Sequence, residues 1–139
     1  MTILTALLLM GAQGAAAPQA IDPSTIDPKV AEQVPIIAGK LQDWRGAWGA
    51  VDGKLGCKTV KSTGDAEIDV IGCAALIECV GPAYPALKTI ADGADTADVK
   101  KRKIGEKLAT LNPCLKEKRG LGIAQLALKR GASARKDGA

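Results

Sequence analysis

The sequence contains no histidine and no phenylalanine, and its only aromatic residues are Trp44, Trp48 and Tyr84. Without histidine the chain cannot form a Ser-His-Asp or Cys-His nucleophile, a histidine-ligated haem or a histidine-based metal site. It also lacks a glycine-rich phosphate loop of the required spacing. Carboxylate pairs such as Asp65 and Asp69 are explained as acidic residues at the start of a helix. We therefore predict a protein that is not an enzyme, with no catalytic residues, no cofactor and no metal site.

The scarcity of aromatic residues also bears on the fold. The core must be built from Leu, Ile, Val and Ala, which pack well between helices and poorly on a broad pleated sheet. A length of 139 residues leaves room for one domain. We predict an all-α fold, a small bundle of four to five helices around a buried central helix at about residues 64–80, stabilised by two disulfides.

The N-terminal region predicts export. An apolar run from Ile3 to Met10 precedes small residues that end at Ala17, which is typical of a signal peptide at residues 1–17, although no basic residue comes before the run. No later segment is judged apolar enough to span a membrane. We predict a periplasmic or secreted protein with a Pro/Asp-rich flexible leader at 18–34, a helical domain at 35–131 and a disordered basic tail at 132–139.

Four cysteines, an even number in a short exported chain, predict disulfides: Cys57, Cys73, Cys79 and Cys114. Cys73 and Cys79 cannot pair within one helix, because six residues correspond to about 9 Å of axial rise. Two pairings remain open. We prefer Cys57–Cys73 with Cys79–Cys114, because Cys79 and Cys114 are expected at helix ends. A zinc site is disfavoured because the closest cysteines are too far apart in sequence.

Apolar residues continue from Val30 to Val51 in steps of four and three, which predicts a first long helix that begins at Pro35. Trp44 and Trp48 would then share one helix face. They either fill the core, which we favour, or floor a ligand groove in which the neighbouring Arg45 could hold a ligand. The glycine-rich residues 46–61 predict a loop that carries Cys57.

The central helix is expected to start at Ser62 or Thr63 and to end at Gly81, with apolar residues on most of its faces. Gly72 should allow a partner to approach it closely. The remaining segments predict a short helix from Pro85 to Ala91, a fourth helix capped by Asp95, and a fifth that starts at Asn112 with potential breaks at Gly120 and Gly122.

The net charge of +4 is unevenly distributed. Residues 21–97 contain seven basic and 11 acidic residues, whereas residues 98–139 contain 12 basic and four acidic residues. This division predicts either charge complementarity between helices or a basic face for an anionic partner, formed by Lys100, Lys101, Arg102 and Lys103. Nucleic acid is disfavoured as a partner because the basic half contains no aromatic residue for base stacking.

The resulting functional hypothesis is an exported, non-enzymatic binding protein whose partner is an unidentified protein or an anionic envelope component. Two alternatives are a carrier of a small apolar ligand and a periplasmic stress chaperone. A carboxylate-based enzyme is less favoured. The sequence makes no prediction about the oligomeric state.

Overall fold

The computed structural model describes residues 26–137, which form four helices and a two-stranded antiparallel sheet. The elements are α1 (Pro28–Asp43), β1 (Arg45–Val51), β2 (Lys54–Lys61), α2 (Ala66–Asp92), α3 (Ala97–Ala109) and α4 (Asn112–Asp137). The predicted signal peptide and leader residues 18–25 lie outside the described residues, as do residues 138–139. The prediction of a mostly helical, disulfide-bonded fold is confirmed, but the β1–β2 hairpin means that the fold is not purely helical.

Helix α1 begins at Pro28, earlier than the predicted start at Pro35. The Asp27 side chain accepts a hydrogen bond from the Lys29 backbone N–H at 2.8 Å, and Pro28 occupies the first turn, where a missing N–H costs nothing. Residues 28–34 are therefore helical, and the prediction of a flexible leader across them is wrong.

The chain leaves the helical conformation at Trp44, so the prediction that one helix face carries both tryptophans is wrong. Gly46 and Gly49 weaken helix formation in this segment. The strands join at Asp52 and Gly53, which have φ angles of 52° and 74°, as the favoured two-residue hairpin turn requires. Cys57 consequently lies in strand β2, opposite Trp48, and not in an irregular loop.

Helix α2 contacts every other helix and both strands, and it is therefore the central element. Its N-cap is Asp65, and it continues through Pro82 and Pro85 to Asp92, so the predicted end at Gly81 and the separate helix after it are wrong. Each proline removes one backbone hydrogen-bond donor. Burial of the intervening and flanking apolar side chains offsets this loss: Val80, Ala83 and Leu87 are at most 8% exposed.

One face of α2 remains open, contrary to the expectation of an apolar helix surrounded on most faces. Val70 is 64% exposed, and Ala74 and Glu78 are also exposed. By length and composition alone α2 could cross a membrane, with a mean hydropathy of 1.6 over its most apolar window, of which 39% is buried. We did not expect such a segment after the leader. In the structure, the other face of this helix packs against the rest of the fold.

Helices α3 and α4 also differ from the prediction. Thr96, and not Asp95, caps α3 by accepting a hydrogen bond from the Val99 N–H. Helix α4 runs without a break past Gly120 and Gly122 to Asp137, the last residue that the structure describes, so residues 132–137 of the predicted disordered tail are helical.

The buried side chains form two clusters along α2. The first lies between α1, α4 and the first half of α2 and contains Ile37, Leu41, Trp44, Ile68, Ile71, Leu126 and Ala127. The second surrounds the second half of α2 and contains Val80, Ala83 and Leu87, with Trp48, Leu55, Leu76, Ile104, Leu108 and Leu111 packed against them. The hairpin contributes to the first cluster through Cys57 and to the second through Trp48 and Leu55.

Two disulfides attach other elements to α2. Cys57–Cys73 joins β2 to its first half, and Cys79–Cys114 joins its middle to the first turn of α4. This is the pairing that we preferred from the sequence. Two intact disulfides indicate an oxidising environment.

Gly72 lets α2 approach Trp44, the tryptophan of the first cluster. A Cβ atom at this position would lie 2.5 Å from Cδ2 of Trp44. We predict that Gly72→Ala lowers the free energy of unfolding by about 1–3 kcal/mol, because the buried indole must move. The control is Gly39→Ala in α1, where a Cβ meets nothing within 4 Å and alanine should stabilise the helix by up to about 1 kcal/mol. Urea unfolding measures the free energy of unfolding of both variants, and equal changes in Gly72→Ala and Gly39→Ala would contradict the prediction.

The two disulfides should contribute unequally to stability because they close loops of 16 and 35 residues. Loop-closure entropy predicts a loss of about 3 kcal/mol for the double alanine variant of Cys57 and Cys73, and about 4 kcal/mol for that of Cys79 and Cys114. Denaturant unfolding of both variants tests this order. A larger loss from the shorter loop would show that native packing, and not chain entropy, dominates.

Candidate functional site

Trp44 belongs to the core, so the alternative in which it floors a ligand groove is wrong. It is 4% exposed and lies at the junction between α1 and β1. Its ring contacts the backbone at Gly46 and Gly72, where an added Cβ would lie 2.1 Å and 2.5 Å from ring atoms. Its Nε1 donates a hydrogen bond to Thr59 Oγ1 at 3.1 Å. The indole is therefore enclosed and its polar atom is satisfied.

Trp48 lies in the other cluster. It is half-buried and makes an edge-to-face contact with Tyr84, with ring centroids 6.4 Å apart. In extended backbone, four residues separate Trp44 from Trp48 by about 13 Å, so the two rings do not form one surface. Arg45 donates from Nη1 to the carbonyl oxygens of Gln42 and Trp44 at 2.7 and 2.8 Å. The proposed three-residue ligand groove is not assembled.

The predicted basic face of α3 is partly neutralised. Lys103 pairs with Asp95 at 2.6 Å, and this hydrogen bond and charge lower the pKa of Asp95. Arg102 lies 4.0 Å from Glu106. Among residues 26–137, Lys100 and Lys101 have no carboxylate within salt-bridge distance. Two of the four predicted cations are therefore unpaired.

A second basic surface, missed in the sequence analysis, lies on the hairpin. We call it the hairpin basic face and define it by four cations and two exposed valines: Arg45, Lys54, Lys58, Lys61, Val51 and Val60. None of these cations has a carboxylate within salt-bridge distance in the described part of the chain. The valines are 75% and 68% exposed. The alternation of the basic residues Lys54 and Lys58 with the apolar residues Leu55 and Cys57 was the signal available in the sequence.

Three basic residues of α4 pair with carboxylates of α2 and its N-cap. Arg130 pairs with Asp65 at 2.7 Å, and Lys118 pairs with Glu78 at 3.4 Å. Glu67 of α2 also pairs with α4, through Lys129 at 2.5 Å. Charge complementarity between helices, one of the two explanations of the uneven charge, therefore accounts for three cations of the basic half.

The carboxylates at the start of α2 are engaged in contacts that stabilise their charged forms. Burial raises the pKa of Asp65, but hydrogen bonds from Arg130 and from backbone N–H groups outweigh it, so the net pKa is lowered. The hydrogen bond from Lys129 lowers the pKa of Glu67. The hydrogen bond from Ser62, followed by those from Thr63, lowers the pKa of Asp69. These groups serve to cap α2 and to attach it to its surroundings.

Two open grooves flank α4. The groove between α2 and α4 has a volume of about 560 Å³, an apolar floor that includes Ala74 and Ala75, and ion pairs along its rim. The groove between α1 and α4 has a volume of about 530 Å³. Its lining is uncharged except for two cations, Lys116 and Arg119. The other lining residues are Ala38, Leu41, Gln42, Asn112, Leu115, Gly120 and Ile123. Within residues 26–137, no three metal-ligating side chains come together.

The ion pairs at the start of α2 predict acid sensitivity. A carboxyl group whose pKa is lowered by folding stabilises the native state above its unfolded pKa, and this contribution is lost as the pH falls through the folded value. The ordinary values are 3.8 for Asp65 and 4.5 for Glu67. We predict that the free energy of unfolding decreases as the pH falls below about 4.5.

Arg130→Gln should reduce this pH dependence, because it removes the hydrogen bonds that Asp65 accepts from the guanidinium and a positive charge 3.5 Å from Glu67. Lys101→Gln is the control, since it removes an unpaired cation. Urea unfolding between neutral and acidic pH measures the slope. An unchanged slope in Arg130→Gln would refute the assignment.

Comparisons with protein-family models, with curated proteins and with solved structures found no significant match to this chain.

Proposed function

We propose that this protein is an exported, non-enzymatic binding protein that attaches to an anionic membrane surface through the hairpin basic face. The observation that carries the proposal is the lack of charge compensation there. Between Arg45 and Lys61 the chain contains four cations and a single acidic residue, Asp52, in the turn. By contrast, the cations of α4 that face α2 are paired with its carboxylates.

The exposed valines favour a lipid surface over a soluble anionic polymer. Each Lys or Arg close to an anionic bilayer contributes about 1 kcal/mol of attraction. Val51 and Val60 lie among these cations with most of their surface exposed to solvent, and they could transfer apolar area into the interfacial region of a bilayer. A hydrophilic polymer offers the Coulombic contribution alone.

The fold supplies a rigid support for this surface. Cys57–Cys73 attaches β2 to α2, and Trp44 and Trp48 anchor the inner side of the hairpin in the two core clusters. The hairpin therefore presents its outer side without having to become ordered on binding, which lowers the entropic cost of association. The disulfides and the signal-like residues 1–17 support a location outside the cytoplasm, in the periplasm or the extracellular space.

Vesicle binding tests the proposal. The full mature protein should bind vesicles that contain phosphatidylglycerol and should not bind vesicles of pure phosphatidylcholine, and added salt should weaken the binding because it screens exposed charges. The double variant Lys54→Gln/Lys58→Gln removes about 2 kcal/mol of attraction and should bind about 30-fold more weakly.

The matched control is Lys100→Gln/Lys101→Gln on α3, which changes the net charge equally. It should bind as the parent protein does. If this control loses more vesicle affinity than the hairpin variant does, the membrane-binding site lies on α3 and the proposal is wrong. Displacement of the protein from vesicles by a soluble anionic polysaccharide at equal charge concentration would contradict the preference for lipid. The stress-chaperone alternative stays a prediction.

A further inference from the structure

The groove between α1 and α4 combines apolar walls with positive charge. Leu41 of α1 and Leu115 and Ile123 of α4 supply the apolar part of its lining, and Lys116 and Arg119 supply its charges. With a volume of about 530 Å³ it is of the size of a small-molecule site. It shares no residue with the hairpin basic face.

The two cations of this groove are not compensated by the protein. Lys118, Lys129 and Arg130 of the same helix pair with carboxylates of α2, whereas Lys116 and Arg119 have no carboxylate within salt-bridge distance among residues 26–137. The Nε atom of Arg119 is shielded from solvent and has no hydrogen-bond partner within the described chain. A buried donor without a partner is unfavourable. The uncompensated charges of Lys116 and Arg119 in its lining make the groove electrostatically complementary to an anion.

We propose that this groove binds a single-chain amphiphile with a carboxylate head, that is, a fatty acid. The guanidinium of Arg119 matches a carboxylate because its N–H groups can bind both oxygens, and Lys116 adds a second positive charge. The alkyl chain lies along Leu41, Leu115 and Ile123, where burial of its methylene groups favours binding. The apolar-ligand carrier hypothesis therefore applies to this groove and not to the tryptophans, of which Trp44 is buried and Trp48 is half-buried against the second cluster.

Gly120 gives a direct way to block the groove. It lines the groove, it is exposed, and a Cβ atom there would meet nothing within 4 Å. Gly120→Leu should therefore fold normally and fill the space that the alkyl chain would occupy. Arg119→Gln removes the charge but keeps a polar side chain. Lys101→Gln on α3 is the matched control for the loss of one unpaired cation.

Isothermal titration of the mature protein with dodecanoate below its micelle concentration tests the proposal, with thermal unfolding as a check on folding. The parent protein and Lys101→Gln should bind one equivalent. Arg119→Gln should bind at least about tenfold more weakly, as expected for the loss of a charge-assisted hydrogen bond, and Gly120→Leu should not bind. Dodecyltrimethylammonium, a cation of equal chain length, should not bind at this site.

Three outcomes would overturn the inference: no saturable binding of dodecanoate, unchanged binding in folded Gly120→Leu, or tighter binding of dodecyl phosphate than of dodecanoate. The last would assign the groove to a phosphate head group. The hairpin variant Lys54→Gln/Lys58→Gln should bind dodecanoate normally, so that failure of the vesicle experiment and failure of the groove experiment are distinguishable.

Discussion

The packing of Trp44 against two glycines is the interaction on which the rest of the architecture depends. The indole lies where α1 ends and β1 begins, and it contacts α2 at Gly72 and its own strand at Gly46. One side chain therefore sets the relative positions of α1, the hairpin and α2. Because protein interiors are close-packed, a single added methyl group at either glycine would displace this ring. The Cys57–Cys73 disulfide acts in the same region and holds the hairpin on α2 covalently.

Charge pairing between α2 and α4 determines which cations remain available for a partner. Asp65, Glu67 and Glu78 of α2 are each paired with a basic residue of α4. Individual exposed ion pairs contribute little to stability, but they neutralise the side of α4 that faces α2. Unpaired cations lie on the hairpin, in the groove between α1 and α4 and on α3, and the two proposals concern the first two of these positions.

Several elements were predictable because the signal is local. Asp52 and Gly53 have the residue types of a tight hairpin turn, and Gly72 that of a close contact. Asp27 and Pro28 have the residue types of a helix start, although we placed the start at Pro35. We predicted a loop at residues 46–61 because glycines obscure the strands, although Lys54 and Lys58 alternate with Leu55 and Cys57. The ends of α2 and α4 were placed too early. Local rules end α2 at Pro82, whereas burial of Val80 and Leu87 favours its continuation. Local rules also break α4 at Gly120, whereas packing of Gly131 against Val30 of α1 favours its continuation.

The sequence by itself determined the helical character, the use of all four cysteines in disulfides and the lack of histidine chemistry, because these follow from composition and from spacing along one chain. Tertiary structure alone decided that Trp44 is enclosed in the core and that Lys118 is paired while Lys116 and Arg119 are not. These residues are close neighbours on one helix, and their difference arises because one side of α4 faces the acidic residues of α2 and the other faces the uncharged lining contributed by α1. Such a distinction depends on which surfaces meet in space.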